Sequence, residues 1–351
     1  MELSALGFDD GFERHAAGLL QPGHSLARVT TVARGAFLVH DGAAETPAEL
    51  VGKFRFGNPA AAEVPCVGDW VCVRRESLGG PAVIHGILPR RTFLRRKSPG
   101  RTVDYQMIAA NVDVAFVVQG CQYDLSAARL ERYMVMADEG HIELRIVLSK
   151  TDLISAAELQ QRTEQIRCRG CSAQILPLSN TLGDGLEEFR ALLLPGKTYC
   201  LLGSSGVGKT TLINRLLGRE AFETKAVSAT GEGVHTTARR HLLVLECGAL
   251  FIDTPGMREL GLLGTTDGMN ATFAAIADFS TGCRFSNCTH TQEPGCAVRS
   301  AVESGDLSED RYQNYLKLRK ETEYHGLSYA EKRKENRAFG RFKSAAKPMK
   351  D

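Results

Sequence analysis

The spacing of apolar and polar positions changes character twice along the chain. Between Ser25 and about Lys97 the apolar residues come in short runs, at 26–32, 36–39, 51–56, 70–74 and 82–88. Turn residues such as Asp41-Gly42 and Gly79-Gly80-Pro81 punctuate them. Five short strands so spaced predict a small barrel of the OB type. Ahead of it, residues 1–25 read as a short helix or arm, with Phe8, Phe12, Leu19 and Leu20 available to dock on a neighbour.

From Val112 strand-like runs alternate with helical periodicity. Strands are expected at 112–118, 142–148, 174–178 and 198–202, with helices at 125–138 and 156–167 and others starting at Leu186 and Thr211. That order predicts a parallel sheet covered on both faces. Residues 242–246 and 249–252 then read as a hairpin. A helix with Tyr312, Tyr315, Leu316 and Leu318 on its apolar stripe starts near Glu309. The expected fold is multidomain: arm and OB barrel (1–97), an α/β domain (98–262) and a helical domain (263–351).

Composition narrows the class. The chain has 351 residues, 43% hydrophobic and 24% charged, as a globular protein should. No apolar run approaches the roughly 20 residues that span a bilayer, and the N-terminus carries no charged-then-apolar signal, so a cytoplasmic protein without membrane contact is expected. Net charge is +2, but it is uneven. Residues 311–351 hold twelve Lys/Arg against five Asp/Glu, which leaves +7 there and −5 elsewhere.

The chemistry gathers around residues 203–210, Gly203-Ser204-Ser205-Gly206-Val207-Gly208-Lys209-Thr210. This fits G-x-x-x-x-G-K-[ST], a loop whose backbone N–H groups wrap a triphosphate. Lys209 would sit on the outer phosphates and Thr210 would offer a hydroxyl to Mg²⁺, with Thr211 opening the helix whose dipole favours the anion. After the second strand come Ser149, Lys150, Thr151 and Asp152, similar to the [NT]KxD element by which GTPases read guanine. Asp152 would accept from the guanine imino and amino groups, a pair adenine does not offer. Ser179 and Asn180 fall at the second base-contacting loop. Asp253-Thr254-Pro255-Gly256 matches DxxG, where Asp253 would hold Mg²⁺ through water and Gly256 would sense the γ-phosphate. Between these motifs, residues 233–237 include His235 and Thr236, a candidate switch with a threonine for Mg²⁺. The base-reading loops precede the phosphate loop, the reverse of the usual GTPase order. The reading is a circularly permuted GTPase binding GTP or GDP with Mg²⁺.

Cys283-x4-Cys288-x-His290-x5-Cys296 supplies three thiolates and an imidazole. This is a closed set for structural Zn²⁺, one per chain. Cys168-x2-Cys171 lacks a second half and reads as packing or surface thiols. The basic run 90–97 is either a phosphate-contacting stretch or a solvated linker. The basic tail, with Phe339 and Phe342 interleaved, suits RNA phosphates.

Together these motifs resemble the bacterial small-ribosomal-subunit-dependent GTPase A family. The segment Glu293-Pro294-Gly295-Cys296-Ala297-Val298 and the string His235-Thr236-Thr237 are similar to its signatures. The resemblance implies a late assembly factor of the small subunit that binds its rRNA, with hydrolysis stimulated by the subunit; a monomer is expected. Ser149, Asn180 and Val234 depart from the family's usual asparagine, alanine and basic residue. Met257 stands where many GTPases carry a water-orienting glutamine, which makes His235 the candidate catalytic residue. Two other classes remain at this point: a P-loop small-molecule kinase, and a static RNA-binding protein with a structural nucleotide.

Overall fold

The structure is a computed structural model and describes residues 2–33, 36–52, 63–75, 80–97, 105–122, 124–220, 240–253 and 266–326. It divides into two compact units, Met1–Arg95 with Met107–Leu260, and Arg96–Gln106 with Gly261–Asp351. Among the described residues no helix is long and apolar enough to cross a membrane.

The first unit opens with the arm, a 3-10 turn Leu3–Leu6 and helix α1, Asp10–Ala17. Asp9 caps α1 by accepting from the Gly11 and Phe12 amides. Phe12 is buried, and Phe8 meets the Trp70 ring edge-on at 4.9 Å. Leu19 and Leu20 do not dock. The helix stops at Ala17, and both leucines are exposed.

The barrel strands are β1 (Ser25–Ala33), β2 (Ala36–His40), β3 (Glu45–Leu50), β4 (Trp70–Arg74) and β5 (Ala82–Ile87). Their order is β1-β2-β3-β5-β4, and β4 pairs back onto β1 to close the barrel. β3 runs parallel to β5 and the other neighbours are antiparallel. One expectation is corrected. The third strand is Glu45–Leu50, which the apolar pattern did not mark; of the expected 51–56 only Val51 and Gly52 are described, and neither is in a strand. Pro47 hid it, since proline counts against a strand. Proline is tolerated here because the pairing with β5 starts one residue later, at Ala48.

A two-stranded sheet of β6 (Phe93–Lys97) and β7 (Tyr105–Ala110) follows. Three arginines of the basic run feeding it are engaged in ion pairs. Arg90 pairs through two nitrogens with fully buried Asp69, at 2.7 Å each. Arg91 grips Asp9 while its guanidinium lies 3.6 Å from the Phe12 ring centre. Arg95 pairs with Glu139.

The α/β part has parallel strands β8 (Val114–Gly120), β9 (Glu143–Ser149), β10 (Ile175–Leu178), β11 (Thr198–Leu202) and β13 (Leu250–Asp253), in order β10-β9-β8-β11-β13. Antiparallel β12 (Arg240–Val244) pairs with β13 and also with β1, so one eleven-stranded sheet runs from the parallel strands into the barrel. Helices α2 (Ala127–Glu139), α3 (Ala156–Arg167), α4 (Leu186–Ala191) and α5 (Lys209–Leu217) connect the strands. Phe116, Phe189, Tyr199 and Phe251 are buried together at the centre of its core.

At the junction Arg28 of β1 is wholly buried. It donates to the Gly68 carbonyl (3.2 Å), the Asn111 carbonyl (3.2 Å) and Thr198 Oγ1 (2.9 Å), and also to the Leu6 carbonyl. One side chain thus ties arm, barrel and the start of β11.

In the second unit α6 (Thr266–Thr272), α7 (Ala274–Ser280), α8 (Ala297–Ser304) and α9 (Glu309–Gly326) surround buried Phe273, Ile276, Val298 and Leu318. The cysteine loop lies between α7 and α8.

Candidate nucleotide and metal sites

The phosphate loop joins β11 to α5 at the carboxyl edge of the parallel sheet, where ligands of such sheets bind. Gly203 has φ +140°, and a Cβ there would lie 2.2 Å from the Val118 carbonyl, so only glycine lets the loop pass β8. Lys209 Nζ donates to the Gly203 and Ser204 carbonyls at 2.7 and 2.5 Å. Thr210 and Thr211 occupy the first turn of α5 beside it. Ser205, Gly206, Val207 and Gly208 complete the loop, with Val207 packed into the core.

Asp253 ends β13, two strand positions from β8. Burial raises its carboxyl above the usual range, against the opposing pull of His241 and Lys209. A half-buried carboxylate near the phosphate-loop lysine is suited to a divalent cation. Gly256, His235 and Thr236 lie outside the described residues, as does the tail from residue 327.

The two segments expected to read the base stand on neighbouring strand ends. Ser149 closes β9 and is buried. Its hydroxyl lies 2.7 Å from the Val207 carbonyl and 3.2 Å from that of Gln119, so it spans the phosphate loop and β8. Lys150 takes a left-handed conformation (φ +61°) and leads into the 3-10 turn Thr151–Leu153 that carries Asp152. Ser179 Oγ donates to Asp152 Oδ1 at 2.6 Å, and Asn180 Nδ2 donates to the Gly208 carbonyl at 3.1 Å. The fold therefore brings 149–152, 179–180 and 203–211 together, although they are distant in sequence.

Two residues on α2 escaped the sequence reading. Arg129 donates to Ser204 Oγ and to Asp124, and Tyr133 is hydrogen-bonded to the Gly203 backbone, its hydroxyl pushed up to about 12 by burial. Their i, i+4 spacing places both on one helix face, a signal that marks a contact without naming its partner.

In the second unit Cys283, Cys288, His290 and Cys296 present ligand atoms all within 4.8 Å of one another. A tetrahedron with ordinary Zn–S and Zn–N bonds has S···S edges of about 3.8 Å and S···N edges of about 3.5 Å. The Cys283–Cys296 sulfurs are 3.9 Å apart, and His290 Nδ1 stands 3.6 and 3.5 Å from them. The set fits zinc. His290 is held at φ +63° with its carbonyl accepting from the Tyr312 hydroxyl at 2.6 Å. Burial, then Arg319, lowers its pKa and favours the neutral, ligating imidazole. Glu293 accepts from the Thr289, Thr291 and Gln292 amides and shapes the loop. Of the other pair, Cys171 is buried and Cys168 exposed.

Comparison with known proteins agrees with this arrangement. A family model described as RsgA GTPase matches residues 87–263. A protein of Opitutus terrae named small ribosomal subunit biogenesis GTPase RsgA is 41% identical, over 92% of this chain and 90% of its own. One of the same name from Syntrophotalea carbinolica is 40% identical, again over 92% and 90%. The crystal structure of YjeQ from Thermotoga maritima superposes with a TM-score of 0.62 at 28% identity, over 85% of this chain and 98% of that one. YloQ, described as a circularly permuted GTPase, gives a TM-score of 0.55 at 25% identity, over 87% and 97%. The permuted order of motifs agrees with the description of YloQ, and the chain belongs to the RsgA GTPase family.

Proposed function

We propose that this protein hydrolyses GTP in the biogenesis of the small ribosomal subunit, and that the subunit stimulates its turnover. The observation that carries the GTP reading is the Asp152–Ser179 pair beside the phosphate loop, with Asn180 bonded to Gly208. A carboxylate held there accepts the two donors guanine presents and adenine lacks. A P-loop kinase has no use for that carboxylate, and relatives over nine-tenths of the chain are named as GTPases. Their names also support the subunit as partner.

In this reading the loop amides and Lys209 take the phosphates, while Thr210, Asp253 and Thr236 serve Mg²⁺, which neutralises phosphate charge when bound. His235 orients the attacking water, because Met257 cannot. Zinc fixes the loop of residues 283–296. The barrel face and the basic tail meet rRNA phosphates.

The test is Mg²⁺-dependent turnover of GTP, with ATP as control, with and without purified small subunits. Stimulation confined to GTP is expected, and His235→Ala should lower the stimulated rate while leaving GTP binding intact. Turnover indifferent to subunits, or equal with ATP, would sink the proposal.

A further inference from the structure

Ser179 and Asn180 are consecutive, and their side chains reach in two directions. The serine hydroxyl holds Asp152 Oδ1 at 2.6 Å, and the asparagine amide holds the Gly208 carbonyl at 3.1 Å. Asn180 occupies space that only a glycine leaves, since a Cβ on Gly208 would lie 2.8 Å from Asn180 Nδ2. The amide cannot turn over, because its oxygen would then face the Gly208 carbonyl.

Asp152 itself has weak local support. It sits in a three-residue 3-10 turn that follows a left-handed lysine. Ser149 anchors the start of this loop to Val207, which leaves the position of the carboxylate to Ser179. Ser179 belongs to a loop whose Asn180 side chain reaches the phosphate loop directly, while Arg215 of α5 donates to the Thr181 carbonyl at 3.4 Å. The chain of contacts therefore runs Asp152, Ser179, Asn180, Gly208.

We infer that Asn180 is a positioning residue for guanine recognition, fastening the Ser179–Asp152 pair to the phosphate loop. The inference rests on the GTPase reading above. The physical ground is that a carboxylate discriminates between bases only when it is fixed relative to the rest of the ligand, here the phosphates. A loose loop lets Asp152 drift, and the free energy of its hydrogen bonds to the base is then spent on ordering it.

The experiment is equilibrium binding of GTP and of ITP, with ATP as control, to the full chain with Mg²⁺, for the wild type and Asn180→Ala. Inosine lacks the exocyclic amino group, so the ratio of the two affinities reads how well Asp152 is held. GTP affinity is expected to fall about tenfold in the variant, and the preference for GTP over ITP to shrink about three- to fivefold. Equal weakening of both nucleotides would mean that Asn180 only braces the phosphate loop, and would overturn the inference. Unchanged binding would do the same. Asn180→Ser, whose hydroxyl is too short for Gly208, gives the same readout if the alanine variant does not fold. A wild type that binds ATP as tightly as GTP overturns the GTPase reading and the inference with it; absence of a preference for GTP over ITP, or a preference that survives the substitution, overturns the inference alone.

Discussion

Arg28 offers the sharpest test of how the barrel is fixed to the nucleotide-binding sheet. Its guanidinium has no exposure and reaches Leu6, Gly68, Asn111 and Thr198. Burial lowers its pKa to about 10, so at neutral pH it is a charged group carried at a cost in desolvation. Those four acceptors offset the cost, and Trp70 adds a cation–π contact at 5.5 Å. Arg28→Ala would leave the Leu6 and Asn111 carbonyls without their donor, whereas Gly68 keeps a bond from Asn111 Nδ2 at 3.0 Å. Two buried acceptors at roughly 1–3 kcal/mol each, plus a cavity where the side chain was, give a loss of about 3–5 kcal/mol. Trp70 is the chain's single tryptophan and is fully buried nearby, so urea unfolding followed by its fluorescence reads this junction directly. Arg28→Lys should recover part of the loss, since an ammonium keeps the charge but reaches fewer acceptors. A loss below about 1 kcal/mol for the alanine variant would refute the argument. The consequence reaches the site, because Thr198 opens the strand that delivers the phosphate loop.

Two further outcomes are expected. Metal analysis should find about one zinc per chain, and Cys296→Ser should bring it below about a tenth, with faster amide exchange across residues 283–296; zinc retained by the variant would contradict the Cys₃His assignment. For Asp253, a folded-state pKa raised by burial means that the proton it holds stabilises the fold at low pH. That contribution is lost as pH rises through the raised value. Without Mg²⁺, Asp253→Asn should therefore be more stable than the wild type at neutral pH, and the difference should close as pH falls toward the ordinary carboxylate range. Melting curves over that interval would show no such convergence if Asp253 were solvated.

The motif set and most of the elements that carry it are legible in the chain alone. The phosphate loop, the aspartate of the first base-reading loop, the permuted order and the Cys₃His set are all short patterns. Each is expected from the chemistry of the ligand it would hold, so each is visible without the fold. Strand β11 and helix α3 were likewise legible, being continuous runs of one periodicity. Other features were decided only by tertiary contact. Pro47 lies in a strand because its missing N–H falls outside the β5 pairing. The arginines at 90, 91 and 95 are ion-pair partners of Asp69, Asp9 and Glu139, distant in sequence, which charge density alone does not show. Ser149 and Asn180 looked like weakened versions of usual residues, yet both are bonded to the phosphate loop. Arg129 and Tyr133, which the sequence did not mark, also reach that loop. A local pattern records what a segment does with its own neighbours or with a ligand, whereas the partner of a long side chain depends on which strands the sheet sets side by side.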